Sequence, residues 1–112
     1  MKPFHYTRLY ADEQGNSCFQ DEKLPFDSIQ KTTGLRFISF KGNSIQDLHT
    51  APQKQFIFQL SGLIEVEVSN GEKRRFKSGD VVLAEDTTGK GHITRILSDE
   101  DAVIAICQLH EK

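Results

Sequence analysis

Apolar and polar residues alternate along the chain with a period of two, in short segments separated by turn residues. The clearest segment, Leu63-Ile64-Glu65-Val66-Glu67-Val68, places its three β-branched residues on one face and its two glutamates on the other. Asn70-Gly71 follows as a strong hairpin signal, and residues 73–76 return with basic side chains that can lie across from the glutamates. This pattern predicts a β-hairpin near the middle of the chain.

The same alternation predicts strands elsewhere and no helix. Apolar residues never keep the spacing of three and then four positions over more than two helical turns. One long, mostly polar stretch, residues 11–21, is interpreted as a loop. Strands that follow one another about every ten residues are typical of an antiparallel sandwich or barrel, so we predict an all-β, single-domain protein. The further strands are predicted at residues 4–10, 35–40, 55–60, 81–84, 92–97 and 102–109.

Composition and charge narrow the classes of function. A chain of 112 residues has room for one domain, 1–112, and 37% hydrophobic residues suffice for a folded core. With a net charge of -2 and no basic run longer than residues 73–75, the chain lacks the basic face that nucleic-acid binding requires. Apolar runs of about six residues are too short to span a membrane, and no signal peptide is evident, so we expect a cytoplasmic protein.

The two cysteines lie far apart and form no metal-binding or redox pair motif. Cys107 follows an apolar run, which indicates an inert buried thiol, whereas Cys18 lies among polar residues and its role is left open. A disulfide is not expected in a reducing compartment.

Two of the four histidines stand out as candidates for chemistry. His5 and His110 lie near the termini and are interpreted as solvated surface residues, whereas His49 and His92 each precede or open a predicted strand. If residues 49–55 are extended, His49 and Gln55 point to the same face. Ile57 and Gln59 continue that face along the strand, while the bulky residues between them point the other way.

The spacing around these histidines resembles the first motif of the cupin superfamily, an HxH pair followed by an acid and later by a glycine. His49 takes the first histidine position, Ala51 the second, Gln55 the position of the acid, and Gly62 that of the glycine. The second cupin motif opens with a glycine and reaches a further histidine, and residues 79–92, which end at His92, are similar to it. The resemblance implies a double-stranded β-helix, or jelly-roll barrel, with its conserved motifs at about 42–97.

A narrower resemblance is to small, uncharacterised single-domain cupins. It rests on His49-x-Ala51-Pro52-x-x-Gln55 and above all on the run Glu-Asp-Thr-Thr-Gly-Lys-Gly-His at residues 85–92, and it spans roughly residues 7–109. No reaction follows from this resemblance.

The cupin resemblance implies a divalent transition metal, Fe, Ni, Mn or Zn, bound inside the barrel. Carried over by position, the ligands are His49, Gln55 and His92, with nothing offered at Ala51. The alternative is that these residues contact a small-molecule ligand directly, without a metal.

Glu85 and Asp86 are the candidate catalytic residues, because they end a predicted strand just before His92. One of them can act as a general base or orient an imidazole; alternatively, they accept hydrogen bonds from the following threonines and stabilise the loop. Residues 87–91 do not have the spacing of a phosphate-binding loop, so no nucleotide cofactor is expected.

Three functions remain at this point. The first is a metal-assisted enzyme that acts on a small organic molecule through His49, Gln55 and His92. The second is a non-catalytic small-molecule binding or sensing protein without metal. The third is a metal-free enzyme similar to the nucleotide-sugar ketoisomerase cupins. Because small cupins often dimerise, we also expect a homodimer in which the aromatic-rich strand at residues 4–10 pairs across a twofold axis.

Overall fold

The computed structural model describes residues 4–110, which form ten β-strands and no helix. Within this part of the chain there is accordingly no helix long and apolar enough to cross a membrane. The strands are β1 (His5–Ala11), β2 (Ser17–Lys23), β3 (Thr32–Phe40), β4 (Ile45–His49), β5 (Gln55–Gln59), β6 (Ile64–Glu67), β7 (Lys73–Phe76), β8 (Val81–Ala84), β9 (His92–Ile96) and β10 (Ala102–Leu109).

These strands form two sheets. The large sheet has the order β2-β1-β8-β5-β10-β3, and the small sheet has the order β4-β9-β6-β7. Neighbouring strands are antiparallel except for β1 and β8, which are parallel. The predicted all-β fold is therefore confirmed, as a jelly-roll barrel of two sheets.

The predicted central hairpin is present as β6 and β7. Glu65 lies opposite Arg75 and Glu67 opposite Lys73, and the Arg75 Nε to Glu65 Oε2 distance is 3.4 Å. Gly71 has a φ of +93° in the connecting turn, a conformation that glycine adopts without a Cβ clash. The opposite face of β6 belongs to the core, as the alternation predicted.

The core lies between the two sheets, where the inward face of each strand meets the inward face of the other sheet. Ile96 and Leu9 are each 2% exposed, and Ala102 is completely buried. Burial of such side chains contributes about 1.5–3 kcal/mol each to folding. The other buried members of this cluster are Ile64, Val66, Val68, Phe76, Val82, Ile104 and Ile106.

Two strands were not predicted. β2 occupies part of the stretch interpreted as a loop, so that interpretation is wrong from Ser17 onward, and β4 had no prediction at all. Both are edge strands, β2 of the large sheet and β4 of the small sheet. An edge strand is covered by fewer neighbours and does not need a regular apolar face, so its residues show no period of two.

The prediction that residues 4–10 pair with a second copy of the chain is wrong. The strand at these positions, β1, is hydrogen-bonded to β2 on one side and to β8 on the other. It has no open edge for a partner strand. Dimerisation itself stays a prediction, and it would have to use a sheet face or one of the outer strands β2, β3, β4 and β7.

Candidate functional site

A cavity of about 410 Å³ lies between the two sheets, inside the barrel. Its wall is mostly aliphatic and aromatic, and both sheets contribute to it. Three of its lining residues, Arg36, Gln46 and Pro52, are exposed, and they mark where the cavity meets solvent. A volume of this size is suited to one small organic molecule.

The alternation along β5 directs its polar residues into the cavity. Gln55, Ile57 and Gln59 line the cavity. The condition for their shared parity with His49 is not met, because residues 52 and 53 bend the chain, and His49 lies in the small sheet whereas Gln55 lies in the large sheet. Phe56 packs on the opposite side of the sheet against Tyr6, with ring centroids 5.5 Å apart. The cavity side of β5 is therefore polar at both ends, and Gln55 lies at the end nearer the histidines' strands.

His49 and His92 are direct neighbours across the small sheet. His49 ends β4, His92 begins β9, and the antiparallel pairing of these strands places the two residues opposite each other. Their ring centroids are 4.5 Å apart, with the ring planes tilted by 59°. Both rings line the cavity, whereas His5 and His110 do not.

Each of the two imidazoles is held through its Nδ1 atom. The Nδ1 of His49 lies 2.7 Å from the main-chain oxygen of Asp47, and the Nδ1 of His92 lies 2.5 Å from Oδ2 of Asp86. Both acceptors favour the tautomer with a proton on Nδ1, which leaves a lone pair on Nε2 of each ring. This is the arrangement in which histidines bind metal ions or accept a proton from a ligand.

Gln55 is the third polar residue at this end of the cavity. Its side chain is buried, and within residues 4–110 its amide group has no hydrogen-bond partner. The amide atoms of Gln55 are not among the fully buried unpartnered polar atoms of the described residues, so they are accessible from the cavity, where a ligand or an ion can bind them.

Gly91 makes the approach of the two histidine strands possible. A Cβ added to Gly91 would lie 2.4 Å from the main-chain oxygen of His49, and the residue has a φ of +78°. Any other residue would force β9 away from β4 at this point. Gly91, the second glycine of the run at residues 85–92, is thus a structural requirement for placing His92 beside His49.

The two adjacent carboxylates of the same run have different surroundings. Glu85 is bound by Arg8 and by Nζ of Lys54, the latter at 2.8 Å, and it does not line the cavity. Burial raises the pKa of Glu85, but the hydrogen bonds from Lys54 and Arg8 outweigh burial and hold the pKa below its ordinary value. Glu85 is therefore an ionised structural group, remote from the candidate chemistry.

Asp86 is completely buried and contacts His92. Its Oδ2 atom is the acceptor for the imidazole, whereas its Oδ1 atom has no hydrogen-bond partner in the described part of the chain. Of the alternatives left open by the sequence, the contact is that of a residue that orients an imidazole. The other alternative, a carboxylate that accepts bonds from the following threonines, is not observed in residues 4–110.

Comparison with known proteins identifies the fold. No protein-family model and no curated protein matches the chain. Among solved structures, a cupin 2 conserved barrel domain protein from Salinispora arenicola CNS-205 is similar, with 20% identity over 76% of this chain and 70% of that chain and a TM-score of 0.54. The chain has a cupin fold.

Two further cupin-like structures match over nearly the whole chain. KdgF from Halomonas sp. has 19% identity, with a TM-score of 0.53 over 100% of this chain and 84% of that one. The Schizosaccharomyces pombe Cnp3 cupin domain has 12% identity, with a TM-score of 0.55 over 98% of this chain and 86% of that one. The structural similarity over nearly the whole chain establishes the cupin fold. At these low identities, activity and ligand have to be argued from the site.

The candidate donor set contains two imidazoles and one amide. No group of three or more His, Cys, Asp or Glu side chains suited to a metal occurs within residues 4–110. A third protein ligand beside the two histidines would therefore have to be a neutral group such as the amide of Gln55. Two imidazoles that bind one ion at about 2.1 Å and roughly a right angle bring their ring centroids within about 5 Å, and those of His49 and His92 are 4.5 Å apart. The spacing of the two imidazole rings fits two ligands of one ion.

Sequence reasoning missed Arg36, whose side chain reaches the cavity from β3. The available signal was the parity of Arg36, Ile38 and Phe40, which all line the cavity. It was overlooked because β3 is an edge strand whose residues are largely exposed, so its inward face is not marked by continuous hydrophobicity.

Cys18, whose role the sequence left open, contacts two oxygen atoms of the neighbouring turn. Its Sγ atom lies 3.8 Å from Oδ2 of Asp12 and 3.6 Å from the main-chain oxygen of Asn16. Burial raises the pKa of the Cys18 thiol, and the charge of Asp12 raises the pKa further. Cys18 is a protonated thiol outside the cavity lining, and Cys107 is a half-buried free thiol.

Proposed function

We propose that this cupin binds a divalent transition-metal ion through His49, Gln55 and His92 and acts on a small organic molecule in the barrel cavity. The observation that carries the proposal is the pair of adjacent imidazoles, each with Nδ1 engaged by an acceptor and Nε2 available. Imidazole suits Zn, Fe and Ni, and a metal-binding histidine almost always donates its other ring N–H to an acceptor. The unpartnered amide of Gln55 supplies the third donor.

The surroundings of the three donors support this use. Asp86 fixes the ring of His92, and the main-chain oxygen of Asp47 fixes that of His49, so neither imidazole needs to reorganise when a ligand binds. The aliphatic wall, which includes Ile57 and Ile106, surrounds the site with apolar side chains. When bound, the ion would act as a Lewis acid on a substrate oxygen or on bound water. All three donors are neutral, so they leave the charge of the ion uncompensated.

Elemental analysis tests the metal. The protein is purified without chelators and without a nickel column, then loaded with zinc and dialysed; we expect about one ion per chain. His49→Ala and His92→Ala are expected to lose the ion. His110→Ala, an exposed histidine outside the cavity, serves as the matched control and is expected to keep it. A wild-type protein that retains no ion after loading with zinc, iron, nickel or manganese would contradict the proposal.

A non-catalytic binding protein is the second candidate, and one observation favours it. The acidic residue that lines the cavity, Asp80, already accepts a hydrogen bond of 2.9 Å from the main-chain N–H of Lys77. Thus no unengaged carboxylate lines the cavity among residues 4–110, and a general base has to come from a histidine or a metal-bound group. A metabolite screen with the metal-loaded protein separates the two: turnover supports the enzyme, and binding with unchanged return of the compound supports the binding protein.

A further inference from the structure

Arg36 is the one arginine or lysine among the residues that line the cavity within the described part of the chain. It lies on β3, and its exposure places it at the opening of the cavity. Among residues 4–110 its guanidinium forms no ion pair and no side-chain hydrogen bond.

 The four other arginines of the chain differ from Arg36 in both respects. Each pairs with a carboxylate and none lines the cavity: Arg8, Arg74, Arg75 and Arg95.

The register of the large sheet relates Arg36 to the candidate metal site. Gln55 lies opposite Gln108, and Gln108 lies opposite Gly34, so Gly34 is two strands away from Gln55, or about 10 Å. Arg36 follows two residues later on the same face of β3. The main chains of Arg36 and Gln55 are thus about 12 Å apart along the sheet. Arg36 and Gln55 thus line the same cavity at separate positions, where they can contact different parts of one small molecule.

The space beside Arg36 is open. A Cβ added to Gly34 would meet no atom within 4 Å, so no side chain fills this part of the mouth. Next to it, Ile38 and Ile106 form an apolar surface. A charged group placed at the mouth would therefore meet the guanidinium, while the body of the same molecule would lie against aliphatic side chains.

We infer that the ligand of the cavity carries a carboxylate, which Arg36 binds at the mouth while the rest of the molecule reaches toward His49, Gln55 and His92. An unpaired guanidinium presents a planar fork of N–H donors that matches a carboxylate. The single positive charge among the lining residues fits a monoanion better than a phosphate dianion. The inference rests on the cavity being the ligand site of the proposed function, and it holds whether or not a metal is present.

Matched pairs of acid and amide test this inference. The probes are 4-hydroxybenzoate with 4-hydroxybenzamide, nicotinate with nicotinamide, and cyclohexanecarboxylate with its carboxamide, titrated by calorimetry into zinc-treated and metal-free protein. We expect at least one acid to bind about tenfold or more tightly than its amide, and Arg36→Gln to abolish that preference. Arg36→Lys retains the positive charge but lacks the planar set of N–H donors, so it should keep part of the preference for the acid. Lys73→Gln removes an exposed charge outside the cavity and should change nothing.

Three results would overturn the assignment: no binding of any acid to the wild-type protein, no preference over the amides, or a preference that persists in Arg36→Gln. Tighter binding of phenyl phosphate than of the acids would overturn the choice of a carboxylate. Zinc uptake is measured on the same samples by elemental analysis. If the wild-type protein takes up no zinc but prefers an acid over its amide, the metal proposal alone is refuted. If it takes up zinc but shows no preference for the acids, the role of Arg36 alone is refuted.

Discussion

Replacing Gly91 with alanine tests how the fold holds the two histidines together. Gly91 precedes β9, and the alanine Cβ would lie 2.4 Å from the main-chain oxygen of His49 and 2.7 Å from its carbonyl carbon. These are backbone atoms of a strand, so they cannot turn aside as a flexible side chain would. The substitution should therefore push β4 and β9 apart where His49 and His92 face each other.

Two contributions add up in this variant. The φ of +78° at Gly91 lies in the left-handed region, where a non-glycine residue costs about 1–2 kcal/mol. Relief of the close contact requires a main-chain shift of the kind that overpacking causes, which costs about 1–3 kcal/mol more. We expect a loss of about 2–5 kcal/mol in the free energy of unfolding, and a loss of metal uptake because the imidazoles separate.

Gly71→Ala is the matched control. Gly71 has a φ of +93°, but a Cβ there meets nothing within 4 Å, so only the conformational cost of about 1–2 kcal/mol applies. Urea unfolding at constant temperature measures both variants, and zinc uptake is measured beside it. Equal losses of stability in the two variants, with uptake unchanged in Gly91→Ala, would refute the argument that the contact with His49 controls the site.

Three further substitutions test the carboxylates and the core. Asp86→Asn keeps the shape but weakens the acceptor for His92, and zinc affinity should fall about 10–100-fold in a competitive titration; an unchanged affinity would show that Asp86 does not tune this ligand. Glu85→Gln should lower stability by about 2 kcal/mol at neutral pH. The folded-state pKa of Glu85 is lowered, so its contribution to the free energy of unfolding is present above the unfolded-state pKa and is lost as the pH falls through the folded-state pKa. Urea unfolding of the wild type and Glu85→Gln across acid pH should therefore show the two stabilities converge. A constant difference in stability would contradict this account. Ile96→Ala, at a residue 2% exposed, should cost about 2–5 kcal/mol by the same measurement, whereas Ile29→Ala, at a residue 92% exposed, should cost under about 0.5 kcal/mol, and similar losses would contradict the assigned core.

The central strands were predictable because their signal is local. β6 has an apolar and a charged face, and β5 alternates between cavity-facing and outward residues; both patterns follow from the pleat of a strand that is covered on at least one face. The edge strands β2 and β4 lack this pattern because they have only one neighbouring strand, and β2 was misread as a loop. Local alternation thus indicated strands with one buried face, and it gave no prediction for β2 and β4, where few residues are buried.

The site was predictable in part for a similar reason. Parity along β5 placed Gln55 on one face with Ile57 and Gln59, but the extended segment that was expected to join Gln55 to His49 is bent at residues 52 and 53. The neighbouring position of His92 came only from the cupin resemblance. The choice between Glu85 and Asp86 was open in the sequence, since consecutive strand residues point to opposite sides and either side was available. The structure resolves it through contacts distant in sequence: Glu85 meets Arg8, and Asp86 meets His92.

By itself, the sequence determined the all-β class, the central hairpin and the residue types available for a site, because these depend on neighbours within a few positions. Only the tertiary structure decided that β1 has no open edge, that Gly91 brings the two histidines together, and that Arg36 faces the same cavity. These features depend on which strands lie side by side. Strand order in a jelly-roll barrel is set by packing over the whole chain, and no short segment encodes it.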